Sequence, residues 1–112
     1  MGITQGDVFW ISPDGTEISS DHAHPHVIVQ VNAQAVVVCA LTSNLKRAKE
    51  PGNVLLAEGE ANLLKQSVVV ASHVSTVDKS KLGEYIGTLA EQRLDQVLAG
   101  MRFLQTLTQH HE

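Results

Sequence analysis

Seven apolar residues in succession, Ala35-Val-Val-Val-Cys-Ala-Leu41, stop at Thr42-Ser43-Asn44, and Lys46 and Arg47 follow at once. The run is far shorter than the ~20 residues that cross a bilayer as a helix. Its β-branched valines predict a central strand buried on both faces. A rigid strand that ends in hydroxyls and then cations is a place where a phosphate can be held. The plainer reading is a core strand running into a polar turn.

Around this strand the chain reads as further short strands. Gly6 to Ile11 predicts the first, apolar on both faces from Val8 onward and ended by the turn chemistry of Pro13-Asp14-Gly15. Thr16 to His24 has neither a helical nor an alternating period and is expected to be a long loop, often a functional segment in a small protein. Pro25 to Val31 predicts the second strand, with Val27, Val29 and Val31 facing one way and His26, Ile28 and Gln30 the other. Asn32-Ala33-Gln34 is short enough to demand a tight hairpin into the central strand. Asn44 to Asn53 is a loop closed by Pro51-Gly52, and Val54 to Leu56 is a short strand. Glu58 to Asn62 is a loop or one helical turn, and Ser67 to Ala71 is a strand that continues, with a break, toward Val77. Leu82 to Gly87 reads as a further short strand bent by its two glycines.

Thr88-Leu-Ala-Glu91 has the spacing of a capping box, and beyond it Leu94, Val97, Leu98, Met101, Leu104 and Thr108 fall on one helical stripe. Gly100 costs that helix about 1 kcal/mol relative to Ala, unless it permits a close helix-to-sheet contact. Five or six short strands followed by one C-terminal helix predict an α+β fold, with a strongly curled antiparallel sheet or small barrel. The 112 residues suit a single domain with one core.

Composition matters where it limits function. The chain is 43% apolar and 18% charged, a globular balance. No basic-then-apolar leader opens it, and its one cysteine, Cys39, lies inside the apolar strand and can form no internal disulfide. These features predict a cytoplasmic protein with no membrane partner. A buried Cys39 is also a poor nucleophile. The net charge of −4 argues against nucleic-acid binding by overall charge but leaves room for a local basic patch, and Lys46, Arg47 and Lys49 fall within four residues. The aromatic share of 4% is too low for a broad base-stacking platform. There is no phosphate loop, dinucleotide fingerprint or nucleophile elbow, and no cofactor is expected.

Six histidines are many for this length, and His22, His24 and His26 alternate. Three imidazoles on one side of an extended segment can bind zinc. Here Pro25 interrupts them and no compact carboxylate or cysteine set completes the site, so no metal is expected. A histidine also serves as acid or base near neutral pH. The hairpin centred near Asn32-Ala33 sets residue 24 opposite about residue 41, so His24 and Thr42 are expected to be neighbours at one end of the sheet.

Four stretches, in this order and spacing, resemble the MazF/PemK toxins of bacterial toxin–antitoxin systems. Gly6-Asp-Val-Phe-Trp10 looks like the family's opening Gly-Asp-x-x-Trp, and His24-Pro-His-Val-Ile-Val29 resembles its Arg-Pro-x-Val-Val-x strand. Cys39-Ala-Leu-Thr-Ser-Asn44 resembles its strand ending in threonine, and Val68 to Val77 followed by a short insert and a helix keeps its order. The resemblance implies an SH3-like barrel, a homodimer, a cognate antitoxin as partner and single-stranded RNA as substrate. It implies metal-independent cleavage in which the RNA's 2′-hydroxyl attacks the adjacent phosphate.

On that resemblance the family's catalytic threonine falls on Thr42 and its catalytic arginine on His24. A single imidazole cannot copy the forked donors of a guanidinium, but it can move protons. The implied site is therefore His24 as acid or base and Thr42 as donor to the phosphate, assisted by Ser43. Lys46, Arg47, Lys49 and His26 would contact RNA, with Lys46 or Arg47 replacing the missing charge. Base selection is expected from Thr16 to Asp21 and Lys46 to Asn53. The loop between strands two and three is shorter than is usual for the family, and His73 stands at a glutamine-rich position. Two other functions fit the same scaffold: a module that binds antitoxin or RNA without cutting, and a toxin that acts on a protein target such as gyrase.

Overall fold

The computed structural model describes residues 2–12 and 23–109. The expected Pro13–Gly15 turn, most of the long loop after it, including Thr16 to Asp21 and His22, and the tail histidines lie outside the described residues. Among these residues six strands form one sheet: β1 (Asp7–Ile11), β2 (His24–Val31), β3 (Ala35–Thr42), β4 (Val54–Leu56), β5 (Ser67–Asp78) and β6 (Tyr85–Thr88). The α-helix α1 (Glu91–Gln109) follows them and is the last described element. The order across the sheet is β4-β5-β3-β2-β1-β6, and every pair is antiparallel. β4 and β6 are unjoined edges, so the barrel is a half-barrel.

The central strand is buried on both faces, as its apolar run requires. Cys39 and Leu41 pack with Val8, Val27, Val29, Leu56 and Val69 in the core beneath α1, which contributes Val97. Val36 and Val38 point the other way, to Ile11 and Ile28. Three irregularities bend the sheet between these cores. They fall at Val8/Phe9 against β6, at Ile28/Gln30 against β3, and at Cys39/Leu41, where the β5 partner jumps from Val74 to Val69. Extra residues on one strand of a ladder raise the local twist and turn the strand. β5 can therefore run unbroken for 12 residues while pairing with β3 along its length and with β4 at its start. The break expected within it is this bulge.

Two expectations are corrected. The Asn44–Asn53 loop contains a 3-10 helix, Leu45–Lys49, capped by the Asn44 side chain accepting from the Lys46 amide. Thr88 does not cap α1. It ends β6, and its hydroxyl donates to Asp7 Oδ1 at 2.8 Å. Asp7 is a buried carboxylate that also accepts from the Thr4 amide at 2.9 Å and the Thr4 hydroxyl at 3.1 Å. A buried carboxylate needs donors more than a helix end open to water does, and tertiary demand outweighs the local motif.

Gly100 behaves as its place in the helix suggested. A Cβ there would be driven into the carbonyl oxygen of Gly52, and Gly52 itself has a φ of +81°. Two glycines thus bring α1 against the turn before β4.

Candidate active site

The antiparallel β2–β3 ladder runs to His26↔Ala40, and continuing its register by two residues sets His24, the first residue of β2, toward Thr42, the last of β3. β3 ends where its apolar run stops at Thr42, and β2 keeps its pairing with β1 through Pro25 to His24. The two side chains open into one cavity of about 540 Å³, which Ser43 also lines. Ser43 and His24 are exposed and Thr42 is half-buried. The Thr42 Oγ1 accepts from the Asn44 amide at 3.2 Å. Its hydroxyl hydrogen has no acceptor among the described residues and is available to a bound group.

The opposite walls come from segments remote in sequence. Trp10 enters from β1, Tyr85 from β6, and Leu63, Leu64 and Lys65 from the loop before β5. Trp10 is 37% exposed, Tyr85 52% and Leu64 84%, so apolar side chains border the cavity mouth. The Tyr85 ring is held edge-on to Phe9, with centroids 5.5 Å apart. Its hydroxyl lies 2.6 Å from Thr88 Oγ1. Since Thr88 gives its own hydrogen to Asp7, Tyr85 is the donor in that pair. The buried carboxylate therefore fixes the phenol through one intervening hydroxyl.

A 3-10 turn at Glu60–Asn62 carries the remaining wall. Ala61 and Asn62 both have positive φ, 51° and 61°, a conformation most side chains avoid. Three contacts hold it. Glu60 takes Arg93 of α1 in a two-pronged ion pair at 2.8 and 2.9 Å, which keeps the Glu60 carboxyl below the ordinary range. Asn62 Nδ2 donates to the Ile86 carbonyl of β6 at 3.1 Å. The Ala61 carbonyl sits where a side chain on Gly87 would be.

The remaining residues expected to contact RNA lie elsewhere. Lys46, Arg47 and Lys49 are on the 3-10 helix that packs against β4 and β5, and none lines the cavity. Arg47 is engaged by Glu50 through three contacts of 2.9–3.1 Å, which raise its pKa. His26 is half-buried outside the cavity, and its Nδ1–H donates to the His24 carbonyl at 2.9 Å. Burial lowers its pKa, against the opposing effect of that hydrogen bond. The arrangement favours a neutral imidazole protonated at Nδ1 that steadies the backbone of His24. Cys39 donates to the Val70 carbonyl at 3.0 Å, and burial pushes its thiol up to about 12. No group of three or more His, Cys, Asp or Glu stands close enough to hold a metal among the described residues.

Lys65, Trp10 and Tyr85 were not among the expected site residues. Trp10 is part of a recognisable motif, but nothing local to Leu64-Lys65-Gln66 or Glu84-Tyr85-Ile86 marks either as bordering a cavity. They arrive there through sheet order alone.

Comparison with known proteins places the chain in a family. The family model described as PemK-like, MazF-like toxin of type II toxin–antitoxin system matches residues 4–104. The endoribonuclease MazF of Staphylococcus epidermidis is 31% identical over 103 residues, covering 85% of this chain and 84% of that protein. That of Staphylococcus saprophyticus is 30% identical over 101 residues, covering 83% and 82%. Among solved structures, an endoribonuclease in complex with its cognate antitoxin from mycobacterial species superposes with a TM-score of 0.76 at 21% identity, covering 95% of this chain and 97% of that one. MazF from Deinococcus radiodurans gives 0.72 at 20% identity, covering 95% and 98%. These likenesses extend to the fold, and with the family model matched along nearly the whole sequence, the chain belongs to the PemK-like, MazF-like toxins of type II toxin–antitoxin systems.

Proposed function

We propose that this chain is an endoribonuclease that cuts single-stranded RNA in the cavity between β2, β3 and the loop before β5, without a metal. The RNA's 2′-oxygen attacks the adjacent phosphorus as the bond to the 5′-oxygen breaks, leaving a cyclic phosphate and a free 5′-hydroxyl. One proton leaves the 2′-oxygen and one arrives at the departing 5′-oxygen. His24 moves one of these protons. The unengaged hydrogen of Thr42 points its bond at a phosphate oxygen, with Ser43 as a second hydroxyl beside it. The convergence of one imidazole and two hydroxyls on a single open cavity carries this reading. The names of the relatives support the activity.

In this reading a cognate antitoxin lays a flexible segment over the same cavity, and the toxin works as a homodimer in the cytoplasm. A MazE–MazF complex from Deinococcus radiodurans is among the similar structures and supports the pairing. The exposed Trp10 and Leu64 at the mouth suit an apolar anchor on the antitoxin.

End mapping tests the activity. Purified protein is incubated with a long single-stranded RNA in excess chelator, beside His24→Ala and Thr42→Val. Discrete cuts with 5′-hydroxyl ends, lost in both variants, are expected. RNA that stays whole while the protein still binds it would make the chain a binding module instead.

A further inference from the structure

We propose that Lys65 supplies the standing positive charge at the scissile phosphate, an inference that rests on the ribonuclease reading of the cavity. Attack on a phosphodiester concentrates negative charge on the non-bridging oxygens, and fixed donors aimed there are the largest source of acceleration in such sites. A histidine that moves protons is not a permanent cation. Another residue must hold that charge.

The cations next to Thr42 in sequence do not serve. Arg47 is neutralised by Glu50, and neither Lys46 nor Lys49 lines the cavity. Lys65 does line it. It lies three residues before Val68, the register partner of Thr42. Across the sheet order β5-β3-β2, the hydroxyls of Thr42 and Ser43 therefore stand between Lys65 and His24. The Ser67 hydroxyl donates to the Lys65 carbonyl at 3.1 Å and steadies its backbone. Its ammonium has no ion-pair partner among the described residues. No Asp or Glu lines the cavity among those residues, although the chain as a whole carries a charge of −4. Among the described residues of the lining, an unpaired cation with no carboxylate beside it is the group that attracts an RNA phosphate. Cation, hydroxyls and imidazole then fall in line: Lys65 and Thr42 hold the phosphate while His24 reaches the ribose or the leaving oxygen.

The test is single-turnover cleavage of a single-stranded RNA by full-length Lys65→Gln and Lys65→Arg, with thermal melting to establish that each folds. Lys65→Gln is expected to slow the cleavage step about 100-fold, with unchanged cut positions and a much smaller change in KM. Lys65→Arg is expected to recover most of the rate. A third variant, Lys65→Cys, is treated with 2-bromoethylamine, which restores an amine at the same reach. Cys39 is buried and escapes this alkylation. Return of activity on alkylation separates charge from packing. A wild-type cleavage rate in Lys65→Gln, or equal loss in Lys65→Gln and Lys65→Arg, would overturn the proposal alone. RNA left whole by the wild-type protein would overturn the ribonuclease reading together with it.

Discussion

Thr42 illustrates how little freedom a site residue needs. Its oxygen is already occupied by the Asn44 amide, which fixes the rotamer and leaves one hydrogen to give. The prediction is that Thr42→Ser keeps cleavage within about tenfold, because it preserves both bonds, whereas Thr42→Val loses about 100-fold or more. Rates measured on one oligonucleotide at fixed salt decide this, and equal losses in the two variants would assign Thr42 a packing role. Thr88 carries the opposite lesson. Its sequence neighbours make it a helix cap, and only the buried Asp7, 81 residues away along the chain, explains why its hydroxyl turns elsewhere. His24 and Thr42 were legible as a pair because hairpin arithmetic needs only the positions of two strands and one turn. Lys65 was not, since its position depends on β5 lying beside β3.

At the level of elements, the wall of the cavity is braced from α1. The Glu60–Arg93 pair is partly exposed, so its removal in Arg93→Ala is expected to cost only about 0.5–1 kcal/mol, a fall of a few degrees in melting temperature. Because Arg93 holds the folded Glu60 carboxyl below its ordinary 4.5, this stabilisation is complete above that pH and fades as the pH falls through the lower folded value. The melting temperatures of wild type and Arg93→Ala should therefore differ at pH 7 and converge in acid. A gap that stayed constant with pH would remove the ion pair as its cause. At the other end of the brace, Gly100→Ala sets helix propensity against space. The gain of about 1 kcal/mol from Ala is outweighed by the forced separation of α1 from Gly52, and we expect a net loss of about 1–3 kcal/mol in denaturant titration. The apolar stripe that announced this helix was plain in the sequence. The 3-10 helix at Leu45–Lys49 was hidden, because five residues with a single large apolar side chain give no period to read.

For the whole molecule, the legible part was the sheet and the illegible part its bending. Valine runs at Ala35–Leu41 and Ser67–Ala71 mark strands, but the bulge that jumps β5 from Val74 to Val69 leaves no signal in composition. That bend nonetheless decides which loops meet. It also redistributes charge. The cluster at Lys46, Arg47 and Lys49 looked like the basic patch, yet the cavity takes its one lysine from a different loop.

The Trp10 ring on the cavity wall has one more use. It is the chain's only tryptophan, and it is 37% exposed, so intrinsic fluorescence reports on this cavity and on no other part of the molecule. Filling the cavity with RNA or an antitoxin segment should shift the emission to the blue or quench it. The change should persist in His24→Ala, where no cutting obscures equilibrium. Occupancy and turnover can then be followed separately in solution, without attaching a dye. Emission that ignored saturating RNA would place the ligand on another surface.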